Sequence, residues 1–159
     1  MIYQEFITKF KAHTKEITYQ QQLNLAISVC KKLFFDYQEF SQQNKWGDLD
    51  TLLDAINLIS QSLNLQPDTG QTKQMLQRIE AITPDTEDFD NASYALNACA
   101  AVYESLEFIL DKDPQHVFNI GTCLTDTIDF KIQEDDELTE LQINSHPEMI
   151  NARRFLFER

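Results

Sequence analysis

The chain has 159 residues, 42% of them hydrophobic, with only three glycines and four prolines. That length and composition suit one domain, residues 1–159, with a sizeable core, and so few turn residues favour long helices over sandwiches and barrels. The net charge of −13 repels nucleic-acid phosphates and anionic membrane surfaces, so neither is expected as a partner.

Tyr3, Phe6, Ile7 and Phe10 recur at helical spacing and predict a short amphipathic helix ending near His13. Thr18 with Gln21 forms a capping box that starts a second helix through Leu23, Ala26, Ile27, Cys30, Leu33 and Phe34. Asp36 with Glu39 reads as another cap, opening a short helix that carries Tyr37 and Phe40 and stops before Gly47. Asp48 is the next N-cap, and Leu49, Leu52, Leu53, Ile56, Ile59 and Leu63 give an apolar face to about Leu65. Residues 66–70 form a loop, and Met75, Leu76, Ile79 and Ile82 then face inward. Thr83-Pro84 stops that helix, since the residue before proline avoids helical dihedrals.

Residues 90–111 are apolar on nearly every side. Only Ser93, Asn97, Glu104, Glu107 and Asp111, with Ala100 among them, form a narrow polar stripe. A helix apolar around most of its girth belongs in a core, and its alanines let neighbours approach closely. This is the expected central helix of an all-α bundle of about seven or eight helices. Ahead of it, Asp85, Glu87, Asp88 and Asp90 crowd the connection 83–90. Asp88 or Asp90 is expected to cap the central helix, with Phe89 anchored in the core. Asp113-Pro114 opens the following helix, with Val117, Ile120, Gly121, Leu124, Ile128 and Ile132 buried and Gly121 marking a close crossing against the central helix. After the acidic run 134–140, Ser145 with Glu148 forms a last capping box, and Met149, Ile150, Phe155 and Leu156 or Phe157 face inward.

The charge is lopsided. Residues 1–80 hold 8 cationic and 9 acidic side chains, whereas residues 81–159 hold 5 and 17. Cys30, Cys99 and Cys123 are odd in number and lie in apolar helical patterns, so buried reduced thiols are expected. The opening stretch lacks the apolar region of a secretory signal, and the longest apolar run, 98–103, is far short of a membrane span. A cytoplasmic location is the expectation.

Chemistry is harder to find. Three isolated glycines make no phosphate loop. The histidines His13, His116 and His146 lie on separate segments, so no nucleophile is paired with a base and no catalytic residue or cofactor site is assigned. The nearest approach to a bundle metal motif is Asp113-x-x-His116, with Asp126, Asp129 or the 134–137 run as further carboxylates. A cap residue and a first-turn histidine explain that pair without any ion. Asp50/Asp54 and Asp126/Asp129 each place two acids on one helix face.

Residues 33–43, LFFDYQEFSQQ, run into Trp46-Gly47-Asp48, and Ala81-Ile82-Thr83-Pro84 leads to Glu87-Asp88-Phe89-Asp90 and the helix with Tyr94, Ala95, Ala98, Cys99 and Ala101. From about Leu23 to the C-terminus the chain resembles the domain of unknown function 416 family. The resemblance implies a compact all-helical cytoplasmic protein of bacterial origin. The family has no established activity and therefore supplies no site residues.

Two functional classes follow. The first is a non-enzymatic interaction protein, such as an inhibitor of the immunity-protein kind, that binds a basic partner through Glu134, Asp135, Asp136, Glu137, Glu140, Asp85 and Glu87. The second is an enzyme or metal-binding bundle using clustered carboxylates and a histidine. A homo-oligomer whose partner is a second copy is the remaining alternative.

Overall fold

The structure is a computed structural model that describes residues 1–158. It comprises α1 (Tyr3–Glu16), α2 (Tyr19–Asn44), α3 (Leu49–Gln61), α4 (Thr69–Ile82), α5 (Ser93–Asp111), α6 (Pro114–Ile132), α7 (Glu140–Ser145) and α8 (Pro147–Phe157), with no strand among the described residues. The all-α architecture is the expected one.

α5 lies among α2, α3, α4 and α6. Ala95, Ala98, Cys99, Ala101, Val102, Leu106, Phe108 and Ile109 are all buried, while Ser93, Asn97, Ala100, Glu104 and Glu107 are half-buried and Asp111 is exposed. The polar stripe read from the sequence therefore lies where the helix reaches water, alongside the half-buried Tyr94, Leu96, Tyr103 and Leu110. Ser105 is the buried polar residue of α5, and its hydroxyl donates to the Ala101 carbonyl at 2.7 Å, which satisfies it. α6 is the second hub, packing on α5 and α2 on one side and on α1 and α8 on the other.

Capping chemistry sets most boundaries. Thr18 and Gln21 form the expected capping box at α2, Asp48 accepts from Thr51 N at α3, and Asp113 accepts from Gln115 N ahead of Pro114 at α6. Asp68 caps α4, which takes Gly70 out of the expected loop and into the first helical turn. α1 runs past His13 to Glu16, α3 ends at Gln61 rather than near Leu65, and Leu53 and Ile150 point outward despite their periodicity.

Four expectations are corrected. Asp36 and Glu39 do not cap a new helix, because α2 continues unbroken for 26 residues. The apolar stripe Cys30, Leu33, Tyr37, Phe40 carries the helix through, and Asp36 instead receives Lys131 Nζ at 2.6 Å. Asp88 and Asp90 do not cap α5, whose N-cap is Ala92 with no side-chain acceptor. The chain before it is held in a turn in which Asp85 Oδ1 accepts from Glu87 N and Asp88 N donates to the Asp85 carbonyl. Gly121 meets α1 rather than α5: a Cβ there would strike the ring of Phe10. Last, Ser145 and Glu148 form no capping box. Thr139 and Gln142 form one at the separate helix α7, and His146 Nδ1 accepts from Glu148 N to cap α8.

The two motifs that carry the family resemblance touch each other. The buried Tyr37 hydroxyl donates to the Ile82 carbonyl at 2.8 Å and accepts from Asp48 N at 3.2 Å. Gly47, at φ 88°, leaves the space that hydroxyl fills. Phe89 packs on Phe40 and Trp46, with ring centroids 5.2 and 5.3 Å apart, so the expected anchor is in place. Asn91 then links to Asn44 and Gln43 by side-chain hydrogen bonds.

Candidate functional site

One acid from each acidic run, Asp90 and Glu134, meets at the end of the bundle formed by the start of α5 and the close of α6. Asp90, Asn91, Ser93, Tyr94, Phe130 and Glu134 line a groove of about 380 Å³ there. Phe130 is 51% exposed and shares this groove with the acids Asp90 and Glu134. Tyr94 donates its hydroxyl to Glu134 Oε1. Burial, then the Glu134 carboxylate, raises the Tyr94 phenol above its usual value. Lys131, the nearby cation, pairs with Asp36 and lies 5.3 Å from the Tyr94 ring centroid. Asp135, Asp136 and Glu137 are exposed and make no hydrogen bond or ion pair among the described residues. Asp85 and Glu87 are exposed in the turn before α5.

Glu140 is separated from that groove. It opens α7 and lines a cleft of about 440 Å³ with Tyr3, Phe6, Asp126, Asp129, Met149 and Arg153. Arg153 is buried, donates to the Met1 carbonyl and to Asn144 Oδ1 at 2.8 Å each, and lies over the Phe6 ring. Burial lowers its pKa, and burial with the neighbouring Asp129 raises that of Asp126.

His116 has different partners from those the sequence suggested. Asp113 is committed to capping α6, and none of Asp126, Asp129 or residues 134–137 joins the ring. His116 Nδ1 lies 2.6 Å from Glu104 Oε2, and Nε2 lies 2.8 Å from Asp111 Oδ2. Glu107, one turn beyond Glu104, brings a third carboxylate: one donor atom each from Glu104, Glu107 and His116 lie within 4.8 Å of one another. Burial disfavours charge on His116, but its hydrogen bonds to Asp111 and Glu104 outweigh that and raise its pKa. Burial and the like charges of Glu104 and Asp111 raise the Glu107 carboxyl despite the attraction of His116.

The thiols are free, and Cys30 and Cys99 are buried as expected whereas Cys123 is half-buried; all three are poorly suited to nucleophilic work. Burial pushes Cys30, Cys99 and Cys123 each up to about 12, so they stay protonated near neutral pH. Cys99 lines a hollow of about 370 Å³ with Glu80, Thr83, Tyr103 and Glu104 and no histidine. His13 rests against Phe157, and His146 is spent as a helix cap.

These features define an acidic helical bundle with no helix, among the described residues, long and apolar enough to cross a membrane. Residues 9–158 match the family described as a protein of unknown function, DUF416, and the chain belongs to that family. A DUF416 family protein from Shewanella baltica, known from its crystal structure, superposes with a TM-score of 0.82 at 26% identity, over 94% of this chain and 82% of that one. An uncharacterised protein of Haemophilus influenzae is 27% identical over 93 residues, covering 57% of this chain. The match spans 47% of that relative's length, about half.

Proposed function

We propose that the protein is a non-enzymatic interaction module of the cytoplasm, binding a basic partner protein through the acidic face at the α5–α6 end. The groove carries this reading: Asp90 and Glu134, from acidic runs distant in the chain, line it together with the exposed ring of Phe130. An aromatic anchor inside a charged rim is the usual anatomy of a protein-binding surface. Asp135, Asp136 and Glu137 follow Glu134 directly in sequence, are exposed and have no partner among the described residues, so their field is available to steer a cationic surface. Three protonated thiols support a non-enzymatic role and a reducing compartment.

The test immobilises the wild-type chain and a variant carrying D135N, D136N and E137Q, and exposes both to native lysate of the source cells. The reading expects an identifiable basic protein on the wild type and its loss from the variant, whose melting temperature is unchanged or higher. Equal retention on both, or recovery of further copies of this chain alone, refutes it.

A further inference from the structure

Three acids, Glu104, Glu107 and Asp111, occupy the last two turns of α5, where the helix dipole already places negative charge. No lysine or arginine among the described residues pairs with any of them. Lys112, the cation next in sequence, turns away and lies 5.2 Å from the Tyr19 ring centroid. Among the described residues, charge compensation therefore falls to His116. With Nε2–H directed to Asp111, a neutral ring would set the Nδ1 lone pair against the Glu104 oxygen at 2.6 Å. Only a proton fits between atoms that close, so without a metal the pair is a proton-bridged ion pair; a metal bound there would replace that proton and part the two atoms.

We infer that Glu104, Glu107 and His116 form a binding site for a first-row divalent transition metal, with Asp111 and Asn119 as supporting groups. The donor set, one imidazole nitrogen and two carboxylates, suits zinc, manganese, iron or cobalt better than calcium or magnesium. Such ions sit about 2.0–2.2 Å from nitrogen and oxygen donors, which puts adjacent donors about 3 Å apart, so the spread of up to 4.8 Å must close and the 2.6 Å His116–Glu104 pair must open. Glu107, half-buried and without a hydrogen bond or ion pair among the described residues, has the rotamer freedom to move in. The supporting contacts match what metal-bound groups need. Asp111 fixes the histidine tautomer, and Asn119 Nδ2 donates to Glu104 Oε2 at 3.3 Å while Gln115 holds the Asn119 carbonyl at 3.0 Å. Three protein ligands leave coordination positions open to water or a further ligand. This site is independent of the acidic groove, and neither proposal requires the other.

Isothermal titration of the untagged, chelator-stripped chain with zinc, manganese and cobalt chlorides decides the matter. One ion per chain is expected, with affinity falling at least tenfold in E107Q and further in H116Q, and a cobalt absorption band lost in both. Glu107 makes no hydrogen bond or ion pair among the described residues, so E107Q keeps the fold, and circular dichroism confirms it before titration. No saturable binding of any of the three ions up to about 1 mM, the weak end of specific metal sites, overturns the inference. So does binding that folded E107Q and H116Q leave unchanged.

Discussion

Gly121→Ala tests the packing of α6 against α1 through the sign of its effect. In an open helix interior, alanine is favoured over glycine by about 1 kcal/mol. Here the added methyl would enter the ring of Phe10, which is fully buried and cannot swing aside. That ring stacks on Phe6 at 5.5 Å and meets Phe118 and Phe157 at 5.8 Å each. Overpacking at such a position costs roughly 1–3 kcal/mol, so the net effect should be a loss of roughly 1 kcal/mol. For a chain of this size that lowers the melting temperature by about 2–4 °C. Urea and thermal unfolding followed by circular dichroism read the change directly. Phe10→Leu in the G121A background should restore part of the loss, giving a coupling between the two sites. A G121A protein as stable as wild type or more so would mean that α1 does not press on α6 as described.

Ala98→Leu or Ala101→Leu should each cost on the order of 1–3 kcal/mol, because both positions are buried where α5 meets its neighbours; unchanged melting in both would contradict the central placement of α5. The three thiols should react slowly with a thiol reagent in the native state and fast in denaturant, since burial raises each to about 12; native-state reaction faster than a free model thiol would contradict it. The Asp48 carboxyl is held below its usual value by hydrogen bonds from the Thr51 hydroxyl and amide. A depressed carboxyl stabilises the fold above its unfolded pKa and loses that stability as pH falls through its folded one. Asp48→Asn should therefore flatten the acid limb of the stability profile below about pH 4, and an acid limb identical to wild type would count against the cap.

Helix α5 was legible because its pattern is local: apolar girth, alanines and one polar stripe. The caps Thr18, Asp48 and Asp113 were legible for the same reason. Asp36 and Glu39 misled because a cap signature and a continuing apolar stripe overlap, and the stripe had more buried area behind it. The box Thr139–Gln142 carried its own local signal and could have been read. His116 shows the opposite limit. Its partners Glu104 and Asp111 come from the preceding helix, and only the fold of α6 back along α5 brings them to the ring. The convergence of Asp90 with Glu134 is likewise a product of tertiary structure. The family motifs turn out to hold the fold together through Tyr37, Gly47 and Phe89, which accounts for their mutual contact without any ligand.

The association rate between this chain and a basic protein captured as proposed above, followed by stopped flow as ionic strength rises, tests the acidic-face reading most directly. Electrostatic steering predicts a fast rate at low salt that falls roughly tenfold or more as salt is raised. The D135N, D136N, E137Q variant should start slower and respond less. A rate indifferent to both salt and the triple substitution would reduce the acidic face to a solubility device and contradict the account.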